Sequence, residues 1–145
     1  LYGTYHELML KRVFRNSACL SSDVSAAVDP SYGDVNEKMN AAFVGRGIVM
    51  NKYTGSRGKS GTSDANAEFV FAVRKLFHDN QILWQSAELG KVDVGGGGTI
   101  AQYVANLDVQ VLDCGVALLS MHAPFEIASK LDIYTAYQAY LAFYK

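Results

Sequence analysis

Short apolar runs alternate with helix-spaced apolar stripes along most of the chain, and this alternation limits the fold more than any other property of the sequence. Phe69, Ala72, Val73, Leu76 and Phe77 recur at the i, i+3, i+4, i+7, i+8 spacing of a helix that buries one face. Ala18–Leu20, Gly47–Tyr53, Ile82–Ala87, Val109–Cys114 and Val116–Met121 are apolar segments of strand length instead, with Gly115 separating the last two. Strands that alternate with helices predict an α/β domain, a three-layer sandwich around a mixed, largely parallel sheet.

The remaining elements follow from local signals. Leu8, Leu10, Val13 and Phe14 predict a helix over Tyr5–Arg15, and a second short helix is expected over Val35–Val44. Asp64 is the expected N-cap of the helix that carries Phe69 to Phe77, with Glu68 in its early turns. Thr54–Thr62, rich in Gly, Ser and Lys, reads as a loop, as does Asp29–Gly33. The glycines Gly95–Gly98 are expected to lead into a helix reaching Asn106. Pro124 is expected at the start of a long final helix from Phe125 to Tyr144, with Tyr134, Tyr137, Leu141 and Tyr144 at three- and four-residue spacing. No internal repeat and no linker divides the 145 residues, so a single domain is expected.

Composition excludes several functions. Half of the residues are hydrophobic, which is too many for a disordered segment. Thirteen Lys and Arg against 14 Asp and Glu leave no basic field to attract nucleic acid. Unbroken apolar runs as short as Phe69–Val73 cannot span a bilayer, and Leu1–Arg15 lacks a signal-peptide pattern. Cys19 and Cys114 each lie in an apolar segment, the usual setting of a buried thiol, so a reducing, cytoplasmic location is expected. The chain opens on Leu1 rather than Met and runs at once into helix-like sequence, as a piece of a longer protein would.

Three constellations bear on chemistry. Gly55-Ser56-Arg57-Gly58-Lys59-Ser60 ends like a phosphate-binding loop, but Tyr53 stands where the first glycine belongs, and a surface turn is the better reading. Gly95-Gly96-Gly97-Gly98-Thr99 fits a dinucleotide fingerprint only trivially; it does allow a ligand or another chain segment to approach the backbone closely. Asp23 and His122 each follow an apolar strand-like run, which places both at strand ends, where α/β sheets carry their sites. A carboxylate and an imidazole there suit a Zn²⁺ ligand pair. Taken from spacing alone, a capping Asp and a hydrogen-bonded core His remain the better-weighted alternative. His6 and His78 read as surface residues.

Four blocks, in order, resemble one family. Ser21-Ser22-Asp23-Val24-Ser25-Ala26-Ala27-Val28-Asp29-Pro30-Ser31-Tyr32, Lys52-Tyr53-Thr54-Gly55, Gly97-Gly98-Thr99-Ile100-Ala101 and Leu119-Ser120-Met121-His122-Ala123-Pro124-Phe125-Glu126 resemble the C-terminal part of the aspartyl aminopeptidase and vacuolar aminopeptidase I family. Those enzymes are dinuclear zinc exopeptidases acting on peptides. The resemblance implies that Asp23 and His122 are metal ligands and that Lys52 lines the substrate pocket, facing an acidic side chain. It also implies that the Gly97 and Gly98 backbone runs along the bound peptide and that Met121 forms a pocket wall. Two zinc ions are implied for a complete site, although carboxylate and imidazole donors also accept cobalt or manganese. A homo-oligomer, a tetrahedral dodecamer, is implied as well.

The departures from the family pattern are equally specific. No two acidic residues are adjacent, no histidine is followed two places later by Asp, and no tyrosine lies between Thr54 and Asp64. The family's bridging aspartate, its Glu-Glu pair and a tyrosine oxyanion donor therefore have no counterpart in these residues. The expectation is a fragment of the catalytic domain, inactive in peptide hydrolysis by itself. The alternative from another class is a non-catalytic oligomerisation or interaction module with a vestigial metal pair.

Overall fold

The computed structural model describes residues 3, 6–57, 60–91 and 93–145. Its centre is a four-stranded sheet of β1 (Ala18–Ser21), β8 (Gln110–Gly115), β3 (Ile48–Asn51) and β6 (Trp84–Ser86), in the order β1-β8-β3-β6. β1 and β8 are parallel, β8 and β3 antiparallel, and β3 and β6 parallel, a mixed and mostly parallel sheet. Alternate side chains of these strands enter different layers. Ile48, Met50, Leu112 and Cys114 pack under Val73 and Phe77 of α2 (Ala67–Asp79) and Ala136 and Ala139 of α4 (Lys130–Phe143). Val49, on the other face of β3, joins Ala27, Ala42, Ala87 and Ala117. The short α3 (Ala101–Ala105) packs against β8 and the β5 (Ser60–Asp64) strand.

Two small sheets flank the centre. β2 (Ser25–Ala26) runs parallel to β9 (Ala117–Leu119), which pairs antiparallel with β10 (Ile127–Ala128). β4 (Tyr53–Ser56) pairs antiparallel with both β5 (Ser60–Asp64) and β7 (Gly96–Gly97). Thr54–Thr62 thus contributes paired strands and not a loop, with Gly55 placed where Thr62 of the neighbouring strand approaches closely; Gly58 and Lys59, part of the phosphate-loop-like run, lie outside the described residues. Gly95–Gly98 likewise supplies a strand before the short α3, which ends at Ala105.

The helix boundaries move for identifiable reasons. The Ala65 amide donates to the Lys52 carbonyl, so the chain is still laddered after Asp64, and Asn66 becomes the N-cap of α2 by accepting from the Glu68 amide at 2.8 Å. Ala72, in the expected core stripe, is exposed, whereas Val73 and Phe77 are buried. The expected helix over Val35–Val44 is absent: a 3₁₀ turn, Pro30–Val35, capped by Asp29, ends there, and Ala42 bridges to Ala27 with its carbonyl accepting from the Val28 amide. The final helix starts at Lys130 with Ser129 as its cap, not at Phe125, because 127–128 extend as β10 first. Its buried residues are Asp132, Thr135, Ala136 and Ala139, while Tyr134, Tyr137, Leu141 and Tyr144 face outward. α1 (Glu7–Arg15) forms as expected from His6 onward; Tyr5 lies outside the described residues. No helix among the described residues is long and apolar enough to cross a membrane.

Candidate functional site

The segment that carries Asp23 is fixed on three sides. β1 ends at Ser21, and Ser22 Oγ lies 2.8 Å from Tyr140 Oη. Tyr140 donates to the Cys114 carbonyl at 2.6 Å, so the Ser22 hydroxyl must donate to the tyrosine oxygen. Across the chain, Gly115 lies against the Asp23 backbone with no room for a Cβ. Two residues later, the Ser25 amide donates to the Val116 carbonyl as β2 begins. Asp23 itself is half-buried, and one of its carboxylate oxygens accepts from the Val24 amide at 3.0 Å. Its other oxygen accepts no hydrogen bond among the described residues.

His122 lies beyond the opposite end of the β2–β9 ladder, in the turn between β9 and β10. This turn is backbone-strained: Ser120 (φ 58°) and His122 (φ 68°) both occupy the left-handed region that non-glycine residues seldom enter. Its geometry is held by the Ala123 amide on the Ser120 carbonyl and by Glu126, whose carboxylate accepts from the His122 amide at 2.6 Å. The imidazole is exposed and makes no hydrogen bond among the described residues. His122 is therefore not the core histidine that spacing alone favoured. Met121 beside it is half-buried. His6, which caps α1, and His78 are both exposed, as surface residues read from the sequence should be.

Lys52 directly follows β3, and its ammonium pairs with Asp64 across the β4–β5 hairpin, both side chains well exposed. Its charge is thus already partnered. Gly96 and Gly97 form β7 against Ser56 and Gly55, and Gly98 passes close to the Gly61 carbonyl. A Cβ at Gly97 would approach Leu89 Cδ2 to 2.6 Å, and one at Gly96, which sits at φ 108°, would strike the Gly55 carbonyl. Only glycine lets this strip lie flat.

The sequence reading missed a buried acid of the central sheet. Asp113, on β8, is 2% exposed and stands in register between Ser21 of β1 and Asn51 of β3. One of its oxygens accepts from the Thr99 hydroxyl at 2.8 Å, and the other, on the side of Ser21, has no partner at hydrogen-bond geometry among the described residues. Burial pushes its pKa up, the polarity of the nearby Ser21 hydroxyl and the Thr99 hydrogen bond pull it back, and the Asp23 charge raises it further. The signal was available: an aspartate inside the apolar run Val111-Leu112-Asp113-Cys114 contradicts the pattern of a core strand.

The donor chemistry fits a hard or borderline divalent metal in part. Asp23 offers an open carboxylate oxygen and His122 an open imidazole, both common zinc ligands. No group of three or more His, Cys, Asp or Glu able to hold a metal occurs among the described residues. Since zinc takes three or four protein ligands, these residues provide only part of a set.

Comparison with known proteins gives a consistent result. The family model for the aminopeptidase I zinc metalloproteases (M18) matches residues 2–144. The chain is 59% identical over 143 residues to a probable M18 family aminopeptidase 1 of Clostridium acetobutylicum, covering 99% of this chain and 31% of that protein. The crystal structure of aminopeptidase I from the same organism superposes with a TM-score of 0.89 at 58% identity, over 93% of this chain and 30% of that one. The S. cerevisiae mApe1 dodecamer superposes at 0.74 with 21% identity, over 93% of this chain and 28% of its own, a likeness of fold alone. The chain thus spans about a third of the length of the relatives it matches.

Proposed function

The chain belongs to the M18 family of aminopeptidase I zinc metalloproteases, and on that premise we propose that it carries part of the site of a metal-dependent aminopeptidase that releases N-terminal residues from peptides. The observation that carries this reading is the pair of open donors. Asp23 and His122 are held by their backbones at the ends of one small ladder, and neither spends all of its donor capacity within the chain. The remaining ligands and the general base are assigned to the part of the full-length protein outside these 145 residues, so the chain alone is inactive. We assign it to the C-terminal portion of the catalytic domain, on the order of its sequence blocks.

When bound, a pair of zinc ions supplies Lewis-acid polarisation of the scissile carbonyl and a water acidified enough to attack it; cobalt or manganese suits the same donors. In this chain, Asp23 and His122 would hold the metal. Gly115 and Tyr140 set the position of Asp23, and Glu126 sets that of His122. The flat backbone of Gly97 and Gly98 gives a peptide an edge to lie along, with Met121 as a wall near the metal. Lys52 pairs with Asp64, and an acidic substrate side chain would have to compete for or share that ammonium. The free thiols Cys19 and Cys114 support a reducing, cytoplasmic setting.

A second reading, an interaction module with a vestigial metal pair, has one feature in its favour. The outward stripe of Tyr134, Tyr137, Leu141 and Tyr144 is apolar surface of the kind that subunits or domains cover. Homo-oligomerisation, as in the mApe1 dodecamer, is compatible with both readings. The test is chelator-sensitive hydrolysis of aspartyl, glutamyl and leucyl chromogenic substrates by the full-length protein and the 145-residue chain, with zinc counted in each. Activity in the full-length protein that is lost in its Asp23→Ala and His122→Ala variants, together with their zinc, supports the assignment. A full-length protein that holds no metal and cleaves nothing favours the module.

A further inference from the structure

The strip Gly95–Gly98 has no side chains with which to pack, so something else must fix its position. One support is the ladder to β4, through Gly55 and Ser56, to which the Arg57 amide adds a bond to the Gly95 carbonyl at 3.0 Å. That hairpin is an outlying sheet, separate from the central one. The second support lies immediately after the glycines. Thr99 Oγ1 donates to the buried Asp113 at 2.8 Å and accepts from the Ala101 amide at 3.2 Å. The hydroxyl has a single proton, and because it receives the Ala101 amide it directs that proton at the carboxylate. This side-chain bond ties the residue that follows the strip to the central sheet. The same carboxylate stands in register with Ser21, two residues before Asp23.

We propose that Asp113, acting through Thr99, is a positioning residue that sets the height of the Gly96–Gly98 edge relative to the Asp23 end of β1, and so the seating of the substrate backbone. A buried carboxylate with one oxygen unpartnered among the described residues is a costly way to build a β-strand, since an apolar residue would pack β8 at less cost. What the carboxylate provides and an apolar residue does not is a directional bond to Thr99. The inference rests on the aminopeptidase reading for its effect on substrate, but not for its effect on the strip.

The experiment uses the full-length protein with Thr99→Val, which keeps the shape and removes the hydroxyl, and Thr99→Ser, which keeps the hydroxyl. Zinc content, kcat and KM on a chromogenic aminoacyl substrate, and amide hydrogen exchange at Gly96–Gly98 are measured for each. Thr99→Val is expected to raise KM at least tenfold with kcat changed less than threefold, to retain zinc, and to accelerate exchange at the glycine amides at least tenfold. Thr99→Ser should restore both within about a factor of two. A Thr99→Val protein with unchanged KM overturns the proposal, whatever happens to its thermal stability. If the wild-type protein hydrolyses no substrate, the aminopeptidase reading fails separately, and hydrogen exchange still decides on the anchor: unchanged glycine exchange in Thr99→Val overturns it. If Thr99→Val does not fold, Thr99→Ala and Asp113→Asn are put through the same assays. There the alanine variant must show the loss and the asparagine variant, which keeps an acceptor, must not.

Discussion

Gly115 lies directly against the backbone of Asp23, so close that a β-carbon on the glycine would overlap the Asp23 carbonyl oxygen. A glycine at the end of a core strand thereby decides where a candidate metal ligand sits. Gly115→Ala must push the Ser22–Val24 segment away from β8 and strain the Ser22–Tyr140 contact. The expected result is a loss of about 3 kcal/mol of stability, from overpacking in a well-filled region. Zinc should also bind more weakly in the full-length protein, as read by chemical denaturation and metal titration.

Asp132 is fully buried at the start of α4 and accepts from the Gly45 and Gly47 amides at 2.6 and 2.7 Å. It thereby ties α4 to the turn that enters β3. Asp132→Ala would leave the buried Gly47 amide without an acceptor, at a cost of about 1–3 kcal/mol, while the amide of the exposed Gly45 can turn to water. The expected outcome in urea denaturation is a loss of about 2 kcal/mol. Asp132→Asn, which keeps the shape and one strong acceptor, should lose less.

Asp113 makes stability depend on pH in a defined direction. Its carboxyl is pushed up, first by burial and then by the Asp23 charge, so the folded protein holds that proton more tightly than the unfolded chain does. The resulting contribution is complete below the ordinary carboxylate pKa, about 4, and is lost as pH rises through the elevated folded-state value. The Tm of the wild-type chain relative to Asp113→Asn, in metal-free buffer, should therefore fall from pH 4 to pH 7. A difference that is flat with pH would show that the carboxyl does not titrate in this range.

The two cysteines should differ in reactivity. Both thiols are pushed up by burial and by the Asp113 charge, but Cys114 is fully buried and Cys19 only partly so. Because the thiolate is the reactive form, iodoacetamide should label Cys19 slowly at neutral pH and faster above pH 9. Cys114 should be labelled only after unfolding. Intact mass against time in buffer and in denaturant distinguishes the two.

The Lys52–Asp64 pair is exposed and should contribute less than 1 kcal/mol to stability. Lys52→Met in the full-length protein should therefore fold normally. If Lys52 recognises an acidic side chain, kcat/KM for aspartyl and glutamyl substrates should fall about tenfold relative to leucyl. An unchanged ranking would remove Lys52 from the pocket.

The sequence by itself determined the alternation of strands and helices, the core face through Val73 and Phe77, and the family. These rest on local periodicity and on short blocks such as Ser120-Met121-His122, which are properties of the linear order. It could not determine what a polar segment does once another segment supplies hydrogen bonds. Thr54–Thr62 became a hairpin because β7, some 40 residues later, pairs with its edge. Val35–Val44 lost its expected helix because Ala27 and Val28 took up Ala42. The tyrosines of α4 have helical spacing either way; only packing against β3 and α2 decided that Ala136 and Ala139 face inward and Tyr134 and Tyr137 outward. The candidate site divides along the same line. Asp23 and His122 were legible from their blocks, whereas Asp113 was legible only as an acid out of place in an apolar run, because its surroundings are Ser21, Asn51 and Thr99, which the chain brings beside it only by folding. A residue's type is fixed by the sequence, whereas its solvent, partners and neighbouring charges are set by long-range contacts that carry no local pattern.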